Sequence, residues 1–385
     1  MTTELVRVNR LTLKQARTSP CMTCATAPCC THMPLHQFQV RTLRDLDHAI
    51  YLLNFERIQL GLSITGDWSV YYRYPCQFLD RSNPGNYLCT IHDTPLQPRI
   101  CVHYSPYSCW YKRALGDNHG DSTEFIAIDR ARLEAIAERL VFDDHRNIIE
   151  TPDWPQLIEL AQALPLDPAF DAEPTPDPIF EQWLHDSAMS AVPVPTPRRR
   201  GYHEFADPCA GCAAHCCKTL MFPLARPVAR RNLDYMQFLL GFPGIEIGVT
   251  DDAWMLVVHA RCRHLTADNR CGVFGRPERP SLCRYFDASS CSYVVQLGEP
   301  RPPGFLRIRL DQFFWMVDAI GFDASGTIVD LPPMERMRRA IEARWYEVVH
   351  GPEIASDAAP STPAVEPGPP ADSAEGEPTP HPHVE

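Results

Sequence analysis

The chain has 385 residues, a net charge of −12, and 44% hydrophobic and 22% charged side chains, which is an ordinary soluble composition on a length that exceeds one compact core. The acidic balance argues against a general polyanion binder, and the basic run Arg198-Arg199-Arg200 reads as a solvated linker end because no basic stripe with interleaved aromatics accompanies it. No apolar run approaches the roughly eighteen residues of a membrane span, and Met1-Thr2-Thr3-Glu4 lacks the basic start of a signal peptide, so the chain reads as cytoplasmic with no membrane partner.

In chain order, the first feature is a cysteine turn, Cys21, Cys24, Cys29 and Cys30. A helix is expected over residues 42–55, opened by a capping box of Thr42 with Asp45. Ile58-Gln59-Leu60-Gly61-Leu62-Ser63 alternates at period two and reads as a strand, with Trp68 following. Then come Cys76, Cys89, Cys101 and Cys109. Asp129 is placed to cap a further helix, and Phe142-Asp143 leads into the apolar pair Ile148-Ile149.

The same series then returns. Cys209, Cys212, Cys216 and Cys217 precede a helix over 227–242, with Pro227 suited to its first turn, and a strand over 245–250 with Trp254 behind it. Cys262, Cys271, Cys283 and Cys291 follow, then Asp311 as a helix cap and Ile328-Val329 as the apolar pair. From Cys89 to Cys109 and from Cys271 to Cys291 the steps are identical, twelve residues and then eight. Cys209 follows Cys21 by 188 residues and Phe322 follows Phe142 by 180, so the drift is a few loop residues. The chain therefore reads as one α+β, metal-stapled unit written twice: residues 1–164 and 201–351 as two small domains. A proline-rich linker at 165–200 and a disordered tail at 352–385 complete the expected organisation. Within the linker, Ile179-Phe180-Glu181-Gln182-Trp183-Leu184-His185 has the pattern of a short amphipathic helix. Such a linker permits the two domains to pack together or stand apart.

Sixteen cysteines in two registered octets point to metal ligation. Cys-x-x-Cys places two thiolates on one tight turn, and Cys21/Cys24 and Cys209/Cys212 both have this spacing. Side chains of adjacent residues diverge by about 100° on a helix and about 180° on a strand, so Cys29-Cys30 and Cys216-Cys217 suggest two nearby metals or one polynuclear cluster per unit. A disulfide framework would call for an oxidising compartment and a higher cysteine density. Zinc and iron–sulfur clusters both accept all-cysteine coordination, so spacing leaves the metal open. His32, His36, His92, His103, His215, His259 and His264 lie near the cysteines, but none repeats at an aligned position, which favours surface or polar-core roles. Tyr104, Tyr107, Trp110, Tyr111, Tyr285, Phe286 and Tyr293 read first as packing residues.

These motifs resemble the CxxCxxCC zinc- or iron-chelating family, the YkgJ-like cysteine-cluster proteins. The run from Cys271 through Arg279-Pro280-Ser281-Leu282-Cys283-Arg284-Tyr285 is similar to the family's second half, whereas the first unit keeps Pro98 opposite Pro280 but has no arginine after Cys101. Four residues, not three, separate Cys24 from its cysteine pair. The resemblance implies chelation of zinc or iron by the sixteen cysteines, possession of an iron–sulfur cluster being one form of it. Some relatives are described as flagellin lysine N-methylases, which would imply methyl transfer to a protein substrate; electron transfer is a third reading. The chain has neither a glycine-rich methyl-donor signature nor Cys-x3-Cys-x2-Cys, and no catalytic residue is assigned. Any activity is expected in the second unit, with Arg284 as the residue placed to offset thiolate charge.

Overall fold

A computed structural model describes residues 27–166, apart from 84, 86, 105–121 and 123, together with 214–286 and 305–350. All but the first two residues of the expected linker, the whole expected tail, Cys21, Cys24, Cys109, Cys209, Cys212 and Cys291 lie outside these residues. So do Tyr107, Trp110, Tyr111 and Tyr293.

The fold is α+β, built on two four-stranded antiparallel sheets of the same strand order. In the first half, β1 (His32–Phe38), β2 (Ile58–Ser63), β3 (Trp68–Arg73) and β6 (Phe125–Ile128) pair in the order β1-β3-β2-β6. Between them lie α1 (Leu43–Leu52), the two-residue strands β4 (Leu79–Asp80) and β5 (Leu88–Cys89), and the single-turn helix α2 (Arg99–Val102). Helix α3 (Arg130–Ala137), the hairpin β7 (Val141–Phe142) and β8 (Ile148–Glu150), and α4 (Trp154–Ala163) close this half.

The second half repeats the plan. Strands β9 (Thr219–Leu224), β10 (Ile245–Val249), β11 (Trp254–His259) and β12 (Leu306–Ile308) pair as β9-β11-β10-β12, with α5 (Arg230–Leu240) and the single turn α6 (Ser281–Arg284) between them. Next come α7 (Leu310–Asp318), the hairpin β13 (Gly321–Phe322) and β14 (Ile328–Asp330), and α8 (Met334–His350). Contacts group Met1–Ala340, which holds both sheets, as one compact unit and Ile341–Glu385 as another.

Local chemistry explains the elements. The capping box at α1 forms as expected: Asp45 N donates to Thr42 Oγ1 at 3.2 Å and Thr42 N donates to Asp45 Oδ2 at 2.9 Å. At α5 the helix starts three residues after Pro227, and Asn232 Oδ1 accepts from Val228 N at 3.1 Å and Ala229 N at 3.0 Å. Asp129 caps α3 by accepting from Arg132 N at 2.9 Å. Asp311 instead sits within the first turn of α7, whose N-cap is Arg309. There it still faces the positive end of the helix dipole. Strands β1 and β9, directly after the cysteine pairs, have no counterpart in the sequence reading: Pro34 and Pro223 break the alternation. Both prolines are tolerated because these strands are sheet edges.

The inner faces of both sheets meet in one hydrophobic core. Leu52, Phe55, Leu60 and Tyr72 from the first half join Leu239, Phe242, Ile245 and Leu256 from the second in a single cluster. Burying each such side chain contributes about 1.5–3 kcal/mol. Hydrogen bonds seal the seam: Glu56 N donates to Arg261 O at 2.8 Å, and the Tyr72 hydroxyl donates to Pro243 O at 2.8 Å. The two halves therefore share their apolar core despite the long connection between them. Among the described residues, no helix is long and apolar enough to cross a membrane.

Candidate metal centre

Each described cysteine pair sits on a single 3-10 turn, Pro28–Cys30 in one half and His215–Cys217 in the other. Both turns are entered through an alanine in left-handed backbone, Ala27 at φ 42 and Ala214 at φ 58, a conformation costing an L-residue about 1–2 kcal/mol. Cys30 N and Cys217 N close the turns onto Ala27 O and Ala214 O at 2.8 and 2.9 Å. Each turn is then tied to the fifth cysteine of its half: Cys76 N donates to Cys30 O and Cys262 N to Cys217 O, both at 2.7 Å.

This geometry changes the reading of the adjacent pair. The tight turn brings Cys29 Sγ and Cys30 Sγ to 3.9 Å instead of letting them diverge as on an α-helix or strand. A tetrahedral ion with metal–sulfur bonds of about 2.3 Å has sulfur–sulfur edges of about 3.8 Å, so both thiols of a pair can serve one ion. The adjacency of Cys29 and Cys30 therefore does not by itself require two metals.

In the first half, Cys29, Cys30, Cys76, Cys89 and Cys101 all wall one cavity of about 1010 Å³. Its opposite wall comes from the second half, including Phe238, Gly241, Phe242, Glu246 and His259. Cys216, Cys217, Cys262, Cys271 and Cys283 form the equivalent set in the second half, on the corresponding turn and loops. None of these ten described cysteines is in a disulfide. Among the described residues, no three His, Cys, Asp or Glu side chains are close enough to hold one metal ion.

The crowded thiols perturb one another. Cys29 is held below the usual thiol range because the Cys30 thiol hydrogen-bonds to it, and Cys216 is lowered by Cys217 in the same way. Cys30 and Cys217 are pushed well up by that same bond, then by burial and by the neighbouring thiolate. Burial pushes Cys76 up to about 11 and Cys283 to about 12, with the charges of neighbouring cysteines adding to both. Mutual repulsion and desolvation thus oppose multiple neighbouring thiolates, and a bound cation would reverse both effects. An all-thiol donor set of this kind fits a thiophilic ion such as zinc or iron.

The surroundings of the two clusters differ. Arg284, the expected charge partner in the second half, donates through Nε to Arg279 O at 3.0 Å and through Nη2 to Pro277 O at 2.5 Å, so its visible role is to brace its own loop. Arg279 adds to the lowering of Cys216, partly offsets the upward push on Cys283, and lies over the Phe274 ring at 4.5 Å, while the charge of Arg263 acts in the same sense on Cys262. Gln97 stands at the corresponding place before Pro98. Sequence inspection could have found Arg279, since it directly precedes the proline that both units share.

Of the histidines, His259 is buried with Glu246 and Arg307 on the outer sheet face, 3.3 Å from Glu246 Oε2 and 3.2 Å from Arg307 Nη2. The first half carries Gln59 opposite Glu246 and Ala127 opposite Arg307, by strand register. Gln59 is fully buried with neither amide atom hydrogen-bonded. His92 is largely exposed beside Asp93. Tyr104 packs with Cys29 against Tyr71 and Phe125, whereas Tyr285 is 83% exposed.

A 28-residue stretch of the chain, 7% of it, is 57% identical to a UPF0153 protein of Pseudomonas aeruginosa. The stretch spans 33% of that protein, so the chain matches about a third of the relative's own length. No family model and no solved structure matches the chain. The match and the adjacent cysteine pairs fit a cysteine-cluster protein.

Proposed function

We propose that the chain is a tandem duplication of a YkgJ-like cysteine-cluster unit, and that each copy holds zinc or iron through sulfur. The observation that carries this reading is the pair of equivalent cysteine turns, one at the head of each same-order sheet, with Cys29 and Cys30 at the edge length of a tetrahedral site. Cys29, Cys30, Cys76, Cys89 and Cys101 would ligate in the first copy, with Cys21, Cys24 and Cys109 completing the set. Cys216, Cys217, Cys262, Cys271 and Cys283 would do so in the second, with Cys209, Cys212 and Cys291. When bound, the metal supplies binding energy that becomes folding energy, of order 10–16 kcal/mol for a structural all-cysteine zinc site.

The test is elemental analysis of protein purified anaerobically. More than one zinc or iron equivalent per chain, with sulfur-dominated X-ray absorption, is the expected result. Brown colour would favour iron–sulfur and a colourless zinc protein the structural role; a folded, metal-free monomer would reject both.

A second reading, an enzyme or binding protein acting on a ligand or a protein substrate, draws support from the cavity of about 1010 Å³ against the first cluster. A pocket of that size beside a metal site suits a substrate group, methyl transfer to a protein lysine being the reaction implied by the family resemblance. On this reading the working site belongs to the first copy rather than to the second, where the family resemblance had put it, and Leu88→Trp at the cavity wall should reduce activity without reducing metal content.

A further inference from the structure

The short helices that carry Cys101 and Cys283 have no caps of their own. Helix α2 starts after Pro98 and α6 after Pro280, and neither has a side-chain cap from that residue. Their exposed N–H groups are instead satisfied from the opposite half. Asp234 on α5 accepts Arg99 N at 2.5 Å through Oδ1 and Ile100 N at 2.8 Å through Oδ2. Asp47 on α1 accepts Ser281 N at 2.8 Å through Oδ1 and Leu282 N at 2.9 Å through Oδ2. The two carboxylates occupy equivalent helix positions, in Leu46-Asp47 and Leu233-Asp234. Both oxygens of each are engaged by consecutive amides, a charge-assisted arrangement stronger than a neutral cap.

A second set of bonds crosses the seam the same way. Just after the fifth cysteine of each half, Gln77 N donates to Gly241 O at 2.9 Å and Arg263 N donates to Asn54 O at 2.8 Å. Gly241 caps the C-terminus of α5, which carries Asp234, and Asn54 follows the C-cap of α1, which carries Asp47. Gly241 lies so near that an added Cβ would stand 3.4 Å from Cys76 Sγ. Each cysteine loop is thus held at two points by the other half's helix.

We propose that Asp234 and Asp47 are positioning residues that assemble the cysteine clusters crosswise, Asp234 setting Cys101 of the first cluster and Asp47 setting Cys283 of the second. A metal-competent cluster then requires both halves in one body. The proposal rests on the metal-binding reading only for what the clusters hold; the crossed anchoring itself is a property of the protein without metal.

The test uses the full chain with Asp234→Ala, Asp47→Ala and the conservative Asp234→Asn and Asp47→Asn, each followed by hydrogen exchange of the metal-free protein. Asp234→Ala should speed exchange of a peptide containing Arg99–Val102 by about tenfold or more, leaving Ser281–Arg284 unchanged, and Asp47→Ala should do the reverse. The Asn variants, which keep one acceptor oxygen, should show the same crossed pattern at smaller amplitude. Acceleration in the half that bears the substitution, or none, overturns the proposal. If an Ala variant exchanges everywhere, the chain has unfolded and its Asn partner decides: a crossed pattern supports the proposal and a uniform rise overturns it. With cobalt(II) as the probe, Asp234→Asn and Asp47→Asn should each perturb the sulfur-to-cobalt absorption of a different half of the bound metal. Unchanged spectra would overturn the positioning role. A crossed exchange pattern in a chain that binds no cobalt, zinc or iron upholds the anchoring and sinks the metal-binding reading.

Discussion

The inner and outer faces of the two sheets differ in how faithfully they repeat. On the inner face, Leu60 and Ile247 are buried at matching strand positions, as are Trp68 and Trp254 at the strand ends, and Ile58 and Ile245 meet in the shared core. On the outer face, the second half buries the ion pair of Glu246 with Arg307 beside His259, where the first half has Gln59 and Ala127. Near the thiols, Arg279 contrasts with Gln97, and the large cavity opens at the first cluster. Packing constrains the inner face of both halves alike, because each completes the other's core. The outer face is free to diverge, so the same cysteine frame comes to hold two different electrostatic environments.

The largest expected effect tests the shared inner face. Phe242→Ala removes a ring buried between the halves and should cost about 3–5 kcal/mol. Urea unfolding followed by hydrogen exchange should show both sheets losing protection in one transition. Two transitions, with the first sheet unaffected, would mean that the cores are separate after all.

The outer-face contrast predicts a pH-dependent difference. Burial alone would raise the Glu246 carboxyl, but Arg307 and His259 more than offset it and hold the group well below the usual carboxylate range. A depressed carboxyl contributes stability that is present above its unfolded pKa of about 4.3 and is lost as pH falls toward the folded value. Glu246→Gln should therefore cost about 3 kcal/mol at pH 7, by leaving Arg307 buried and unpaired, and much less near pH 3. Urea midpoints for both proteins at the two pH values check this; a gap that does not narrow in acid would mean that the Glu246 charge does not stabilise the fold. A smaller change of opposite sign is expected across the pseudo-symmetry. Gln59→Leu replaces a buried amide without partners and should stabilise by about 1 kcal/mol, or at least cost nothing. A clear loss of stability there would show that Gln59 is satisfied in solution.

Much of the frame was legible in the sequence. The cysteine steps, the Thr42–Asp45 box and the alternation of Ile58 to Ser63 each follow from local chemistry that acts within a few residues. The edge strands were not, because Pro34 and Pro223 interrupt a pattern that only pairing to β3 and β11 rescues. Convergence of Cys29 with Cys30 depended on a left-handed alanine that no composition rule forecasts. Asp47 and Asp234 look like ordinary surface acids on amphipathic helices; their role exists only once the opposite half delivers two bare amides to each. Arg284 drew attention by adjacency to Cys283, yet a single turn of helix directs it to the carbonyls of its own loop.

The most direct measurement is a zinc titration of the metal-free, reduced chain with urea unfolding at each step. A ligand that binds only the folded state raises stability by about 4 kcal/mol per site at a thousandfold excess over its dissociation constant. The midpoint should climb in one cooperative transition until more than one equivalent is bound, because both cluster regions belong to a single body. A folded chain whose midpoint is unmoved by zinc, and by iron under anaerobic conditions, would contradict it.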